Sequence, residues 1–167
     1  IVPVGAIAEP LPVKCVVVEL LVQPLWVEIG ETVAGVGDVD SDGFDDLAIC
    51  DYGLGLGSLA QRRARTRVFS GLAGSVIASH SDSFFSAEEA NALGDIDSDG
   101  VPDYALTGPI LGLSRIVSGA DHSIVAHIRP AAAFGNQAVR FTDRSIVGLG
   151  DINSDGYDDF VVSTKGS

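Results

Sequence analysis

The sequence predicts an all-β protein of about three consecutive four-stranded blades of the propeller type, a partial propeller preceded by an extended N-terminal strand segment. Three observations predict it: an acidic loop recurs three times at nearly constant spacing, a Ser-Gly hairpin recurs between the loops, and 20 glycines punctuate short apolar runs without sustained helical period. With 46 % hydrophobic residues in 167, the chain can bury a core, which excludes a disordered acidic tail despite a formal charge of −13. That charge also excludes nucleic acid as a partner, because phosphate binding needs a basic surface.

Residues 1–29 read as an extended segment with strand-like runs at Leu11–Val18 and Leu20–Val27, a possible donor strand. Pro3, Pro10, Pro12 and Pro24 break it, and Glu9, Lys14, Glu19 and Glu28 charge it. It therefore falls short of the roughly 20 uninterrupted apolar residues that span a membrane. Trp26 reads as a packing anchor of this segment. The chain opens on Ile1 and has no Met, so the expectation is a processed product or a piece of something longer.

Residues 30–167 hold the blades. Gly37-Asp-Val-Asp-Ser-Asp-Gly-Phe-Asp-Asp-Leu-Ala-Ile49 returns as Gly94-Asp-Ile-Asp-Ser-Asp-Gly-Val-Pro-Asp-Tyr-Ala-Leu106 and as Gly150-Asp-Ile-Asn-Ser-Asp-Gly-Tyr-Asp-Asp-Phe-Val-Val162. The leading aspartates, Asp38, Asp95 and Asp151, stand 57 and 56 residues apart. Between loops, Arg67-Val-Phe-Ser-Gly-Leu-Ala-Gly-Ser-Val-Ile-Ala78 matches Arg115-Ile-Val-Ser-Gly-Ala-Asp-His-Ser-Ile-Val-Ala126 at an offset of 48, strand, Ser-Gly turn, strand. The difference between the two offsets places an insertion between Cys50 and Arg67, marked by Gly53, Gly55 and Gly57. About four strands in a period of roughly 50 to 60 residues is the arithmetic of a propeller blade.

Crowding carboxylates into nine residues is unfavourable unless a cation neutralises them. Acids at loop positions 1, 3 and 5 converge when a glycine at position 6 turns the chain sharply; a carbonyl at 7 and an acid at 9 complete the set. The first set is Asp38, Asp40, Asp42, the Phe44 carbonyl and Asp46; the second is Asp95, Asp97, Asp99, the Val101 carbonyl and Asp103. The third is Asp151, Asn153, Asp155, the Tyr157 carbonyl and Asp159. Every ligand is oxygen and no loop holds His or Cys, which favours Ca2+ at three sites over zinc or copper, with magnesium the weaker alternative. The loops hold 13 of the 23 acids, so three divalent ions would move the charge from −13 by six units to −7. An EF-hand or dockerin loop begins identically but needs a bidentate acid at position 12, where Ile49, Leu106 and Val162 stand. Here the acid at position 9 runs straight into a strand.

The pattern resembles the FG-GAP repeat of integrin-alpha-type β-propellers over residues 31–167: all three loops match its Asp-x-Asp/Asn-x-Asp-Gly-x-x-Asp signature, and Phe134-Gly135 precedes the third. The resemblance implies a propeller-like fold, an extracellular or cell-surface setting, and a role in adhesion or scaffolding.

Other signals are weaker. Arg62, Arg63, Arg65 and Arg67 read as a solvated strand face offsetting nearby aspartates. His80, His122 and His127 lie with the hairpins, and no Ser/His/Asp or Cys/His spacing predicts catalysis, so no enzyme is expected. Cys15 and Cys50 allow one disulfide or two buried thiols, and no N-glycosylation sequon is present. Three blades are too few to close a ring in cis, and the third unit lacks strands that the N-terminal segment has in surplus. The leading expectation is a non-enzymatic calcium-binding structural module whose partners are copies of itself, joined head to tail by strand exchange into a filament or other homo-oligomer. The alternative is a fragment of a larger FG-GAP propeller, an adhesion module binding another protein or a glycan.

Overall fold

The computed structural model describes residues 32–51, 65–81, 87, 89–108, 113–128 and 144–164. Segment 1–29 with Cys15 and Trp26, the inserted loop with Arg62 and Arg63, and Phe134-Gly135 lie outside the described residues. The chain is all-β, with ten strands and no helix among the described residues: β1 Thr32–Gly37, β2 Asp46–Asp51, β3 Arg65–Phe69, β4 Val76–His80, β5 Glu89–Gly94, β6 Asp103–Thr107, β7 Ser114–Val117, β8 Ile124–Ile128, β9 Arg144–Gly150 and β10 Asp159–Thr164. They form three antiparallel sheets, ordered β1-β2-β3-β4, β5-β6-β7-β8 and β10-β9.

Each sheet follows one recipe. A strand runs into an acidic loop, the loop returns as the second strand, and in the first two sheets a Ser-Gly turn joins the third and fourth. The first strand slips register as it meets the loop, between Gly35 and Gly37, between Ala92 and Gly94, and opposite Asp159 and Phe160. The glycine there is left-handed, with φ of +83° at Gly37, +84° at Gly94 and +70° at Gly150, a conformation that a side chain would strain.

Alternation along the strands makes each four-stranded sheet apolar on both faces, so the sheets stack. Val36, Ala48, Cys50, Val68 and Ala78 of the first sheet pack against Ala90, Tyr104, Leu106 and Val117 of the second. The opposite face of the second sheet, Leu93, Ala105 and Ile116, packs against Ile146, Phe160 and Val162 of the third. Leu93, Ile116 and Ile146 are nearly or fully buried, each worth roughly 1.5–3 kcal/mol in apolar transfer. The stacking brings the three acidic loops to the same end of successive sheets, which the bond from Asp158 N to the Asp95 carbonyl, 2.9 Å, makes explicit for two of them.

Candidate metal centre

The three loops share one hydrogen-bond scheme. The leading aspartate accepts two backbone bonds: Asp42 N to Asp38 Oδ1 and Gly43 N to Asp38 Oδ2, both 2.9 Å; Asp99 N and Gly100 N to Asp95 at 3.0 and 2.8 Å; Asp155 N and Gly156 N to Asp151 at 3.1 and 2.9 Å. Position 3 then accepts from position 5, at 3.1 Å for Asp40, 3.2 Å for Asp97 and 2.9 Å for Asn153. Position 5 accepts from position 7, the N–H of Phe44, Val101 or Tyr157, at 2.9 to 3.0 Å. The acid at position 9 reaches back to the N–H of position 2: Val39 to Asp46, Ile96 to Asp103, Ile152 to Asp159. Left-handed backbone at Ser41, Ser98 and Ser154 and at Gly43, Gly100 and Gly156 makes the coil tight enough for these bonds.

Carboxylate oxygens converge where the scheme aims them. One oxygen each from Asp38, Asp40 and Asp46 lies within 4.8 Å of the others, as does one each from Asp95, Asp97 and Asp99. Oxygens about 2.3–2.6 Å from one calcium ion stand no more than about 5 Å apart, so both convergences fit a hard cation in size and chemistry. Asp42 is not in the first convergence; its Oδ2 accepts the Ser70 hydroxyl and its Oδ1 the Phe44 N–H, both at 3.0 Å. Asp103 is not in the second, although its oxygens accept Ile96 N and Gly119 N, both at 2.9 Å, just as those of Asp46 accept Val39 N and Gly71 N. In the third loop Asn153 stands where the others have Asp40 and Asp97, and its amide donates to Asp155 Oδ2 at 3.0 Å. All of its ligand positions from Asp151 to Tyr157 are exposed, with Asp159 half-buried.

The electrostatics match a site that wants positive charge. Local desolvation and the neighbouring carboxylates of Asp46, Asp42 and Asp38 hold Asp40 above the ordinary carboxylate range. Desolvation, then Asp99, Asp95 and Asp121, do the same to Asp97. Burial raises Asp103 against the opposing bonds from Gly119 and Ile96, whereas backbone bonds led by Gly156 N lower Asp151.

A second ring of residues, read in the sequence only as turns, holds the loops to the sheets. Gly71 N donates to Asp46 Oδ1 and Gly119 N to Asp103 Oδ1, both at 2.9 Å, so the Ser-Gly turn of each hairpin clamps the acid at position 9. A Cβ on Gly71 would fall on the Asp45 carbonyl oxygen, and one on Gly119 on that of Pro102. The offset-48 repeat had already marked both glycines; what it could not show is how closely the loop approaches them.

Away from the loops, Arg67 pairs with Asp51 at 2.6 Å and lies over the Phe69 ring, so it serves an ion pair within the first sheet. The Cys50 thiol is free and buried, 3.5 Å from Thr66 Oγ1. His80 and His122 flank the buried Tyr104 hydroxyl, at 2.7 and 3.4 Å, and join the hairpin of one sheet to that of the next. Compared with known proteins, the chain matches no family model and no curated sequence.

Proposed function

We propose that this chain is a non-enzymatic, calcium-binding structural module built of FG-GAP-type propeller blades, working outside the cell and associating head to tail with copies of itself. The observation that carries the reading is the threefold return of one hydrogen-bonded coil, with carboxylates converging ahead of a strand in two of the three loops. Asp38, Asp40 and Asp46, with Asp42 and the Phe44 carbonyl nearby, would hold the first ion; Asp95, Asp97 and Asp99, with the Val101 carbonyl and Asp103, the second. Asp151, Asn153, Asp155, the Tyr157 carbonyl and Asp159 would hold the third once the Asn153 amide turns its oxygen inward. Bound calcium neutralises each cluster and ties the loop to the start of β2, β6 or β10. For assembly, β10 is seen paired with β9 among the described residues, where β2 and β6 pair also with β3 and β7. An added strand, such as the runs at 11–18 or 20–27, would pair there.

Isothermal titration of the chelator-treated chain with calcium tests the metal reading. The expected result is up to three sites, with affinities around 10⁻⁴–10⁻³ M if they resemble extracellular calcium modules, and much weaker binding of magnesium. Absence of binding at millimolar calcium would overturn it.

A further inference from the structure

The two boundaries between sheets use the same repeat positions with different chemistry. At the second boundary, Ile128 of β8 and Phe160 of β10 both pack into the apolar cluster of Leu93, Ile116 and Ile146. At the first, the corresponding positions hold His80 of β4 and Tyr104 of β6. The Tyr104 hydroxyl meets His80 Nε2 at 2.7 Å, with the rings edge to face and their centroids 5.8 Å apart. Tyr104 is fully buried and His80 half-buried, so a polar pair joins the sheets where the fold also accepts an apolar one.

A second imidazole is held there at a conformational cost. His122, in the Ser-Gly turn of the second hairpin, has φ +60° at the position where the first hairpin has Gly74 at +67°. Both turns close with the same bond, Gly74 N to the Ser70 carbonyl at 2.8 Å and His122 N to the Ser118 carbonyl at 3.0 Å, so the turn itself gives no reason for a side chain in left-handed backbone. The reason lies across it: His122 Nδ1 faces the Tyr104 hydroxyl at 3.4 Å. A phenol hydroxyl donates one bond and accepts others. With both imidazoles neutral, or with one proton between them, the row His80–Tyr104–His122 is satisfied in order. With both protonated, each ring nitrogen donates to the same oxygen, the buried O–H is left without an acceptor, and two positive charges meet at one hydroxyl.

We propose that His80, Tyr104 and His122 form a proton-operated latch between the first and second sheets, closed while the two imidazoles hold at most one proton and released when both are protonated. The charged groups facing the pair are Arg115 of β7 toward His80, Asp121 and Asp46 toward His122, and Asp103 toward Tyr104. Burial holds both imidazoles below their ordinary value; His122 and Arg115 add to this at His80, while Asp121 and Asp46 oppose it at His122 without cancelling it. The opened boundary therefore takes up protons first as pH falls. The latch contributes fully above about pH 6.5 and loses its contribution as pH drops through the lowered folded values, in two coupled steps. It uses no metal ligand and stands or falls apart from the calcium reading.

The test is hydrogen exchange of the full chain at pH 7.5 and 5.5, at one fixed calcium concentration, each amide corrected for its intrinsic rate at that pH. In the wild type, protection in β2 and β3 should fall by about tenfold at the lower pH while β9 and β10 keep theirs. Two variants remove the latch in ways the fold already uses: His80→Ile with Tyr104→Phe copies the second boundary, and His122→Gly copies the turn of the first hairpin, which keeps one variant folded if the other is not. In both, the loss at pH 5.5 should shrink to about twofold or less. Nuclear magnetic resonance titration of the wild-type imidazoles should show His80 and His122 titrating below the ordinary value, each shifted when the other is replaced. The latch is overturned if the wild type loses no protection at pH 5.5, if β9 and β10 lose as much as β2 and β3, if the variants lose as much as the wild type, or if the two imidazoles titrate independently.

Discussion

At the scale of single residues, the recurrence of one coil was legible in the spacing: an acid or amide at every second position and a glycine at the sixth give all three loops the same run of backbone-to-side-chain bonds. Their partners were not. Ser70 reaches Asp42 across 28 residues, and Asp158 meets Asp95 across 63, contacts fixed by strand register and sheet stacking that no local pattern carries. For Asp99→Ala, which removes one of three converging carboxylates, the melting temperature should fall relative to wild type in calcium and change little in chelator, read by scanning calorimetry. For Asp42→Ala the calcium-dependent loss should be smaller, since that carboxylate leans to Ser70. His80 adds a dependence on pH. Burial, then His122 and the Arg115 guanidinium, hold its folded pKa below the ordinary imidazole value, so the unfolded chain takes up a proton first as pH falls. Stability from this group is complete above about pH 6.5 and declines as the pH drops from there through the lowered folded value. Urea midpoints at pH 7.5 and 5.5 should therefore differ less for His80→Gln than for wild type.

At the scale of elements, the strand–loop–strand unit and the Ser-Gly hairpin were both readable from their repetition, and both form as antiparallel pairs, the former with a bulge at its left-handed glycine. What escaped sequence reading is that the hairpin turn is part of the loop's support. Gly71 and Gly119 are ordinary turn residues by composition, yet each gives its N–H to the acid at position 9 and sits against a loop carbonyl where no Cβ fits. Gly119→Ala should push the turn off Pro102, strip the buried Asp103 of one of its two backbone bonds, and destabilise the chain by about 1–3 kcal/mol in denaturant unfolding. Calcium affinity at the second loop should weaken with it, because the displaced turn no longer holds the entry to β6. An unchanged unfolding midpoint would mean that the turn and the loop are independent.

At the scale of the molecule, the second sheet packs between the first and the third, so stability is a sum of sheet terms and boundary terms, as in repeat architectures. Among the described residues, the second sheet is covered on both faces, whereas the third shows two strands and one covered face. Leu93 is the side chain through which the second sheet holds the third: it is 1 % exposed and clusters with Ile146, Phe160 and Val162. Truncating it, Leu93→Ala, removes a buried isobutyl group at a cost of about 2–5 kcal/mol, charged almost wholly to that boundary. The first sheet's own contacts with Ala90, Tyr104 and Leu106 lie on the opposite face of the second and are untouched. Hydrogen exchange should accordingly show amides of β9 and β10 losing protection in Leu93→Ala while those of β2 and β3 keep theirs. If all three sheets lose protection together, the stack unfolds as one cooperative unit and the boundary description fails. A local loss would instead show that the β9–β10 unit opens on its own, as a sub-global unit held mainly through its boundary with the second sheet.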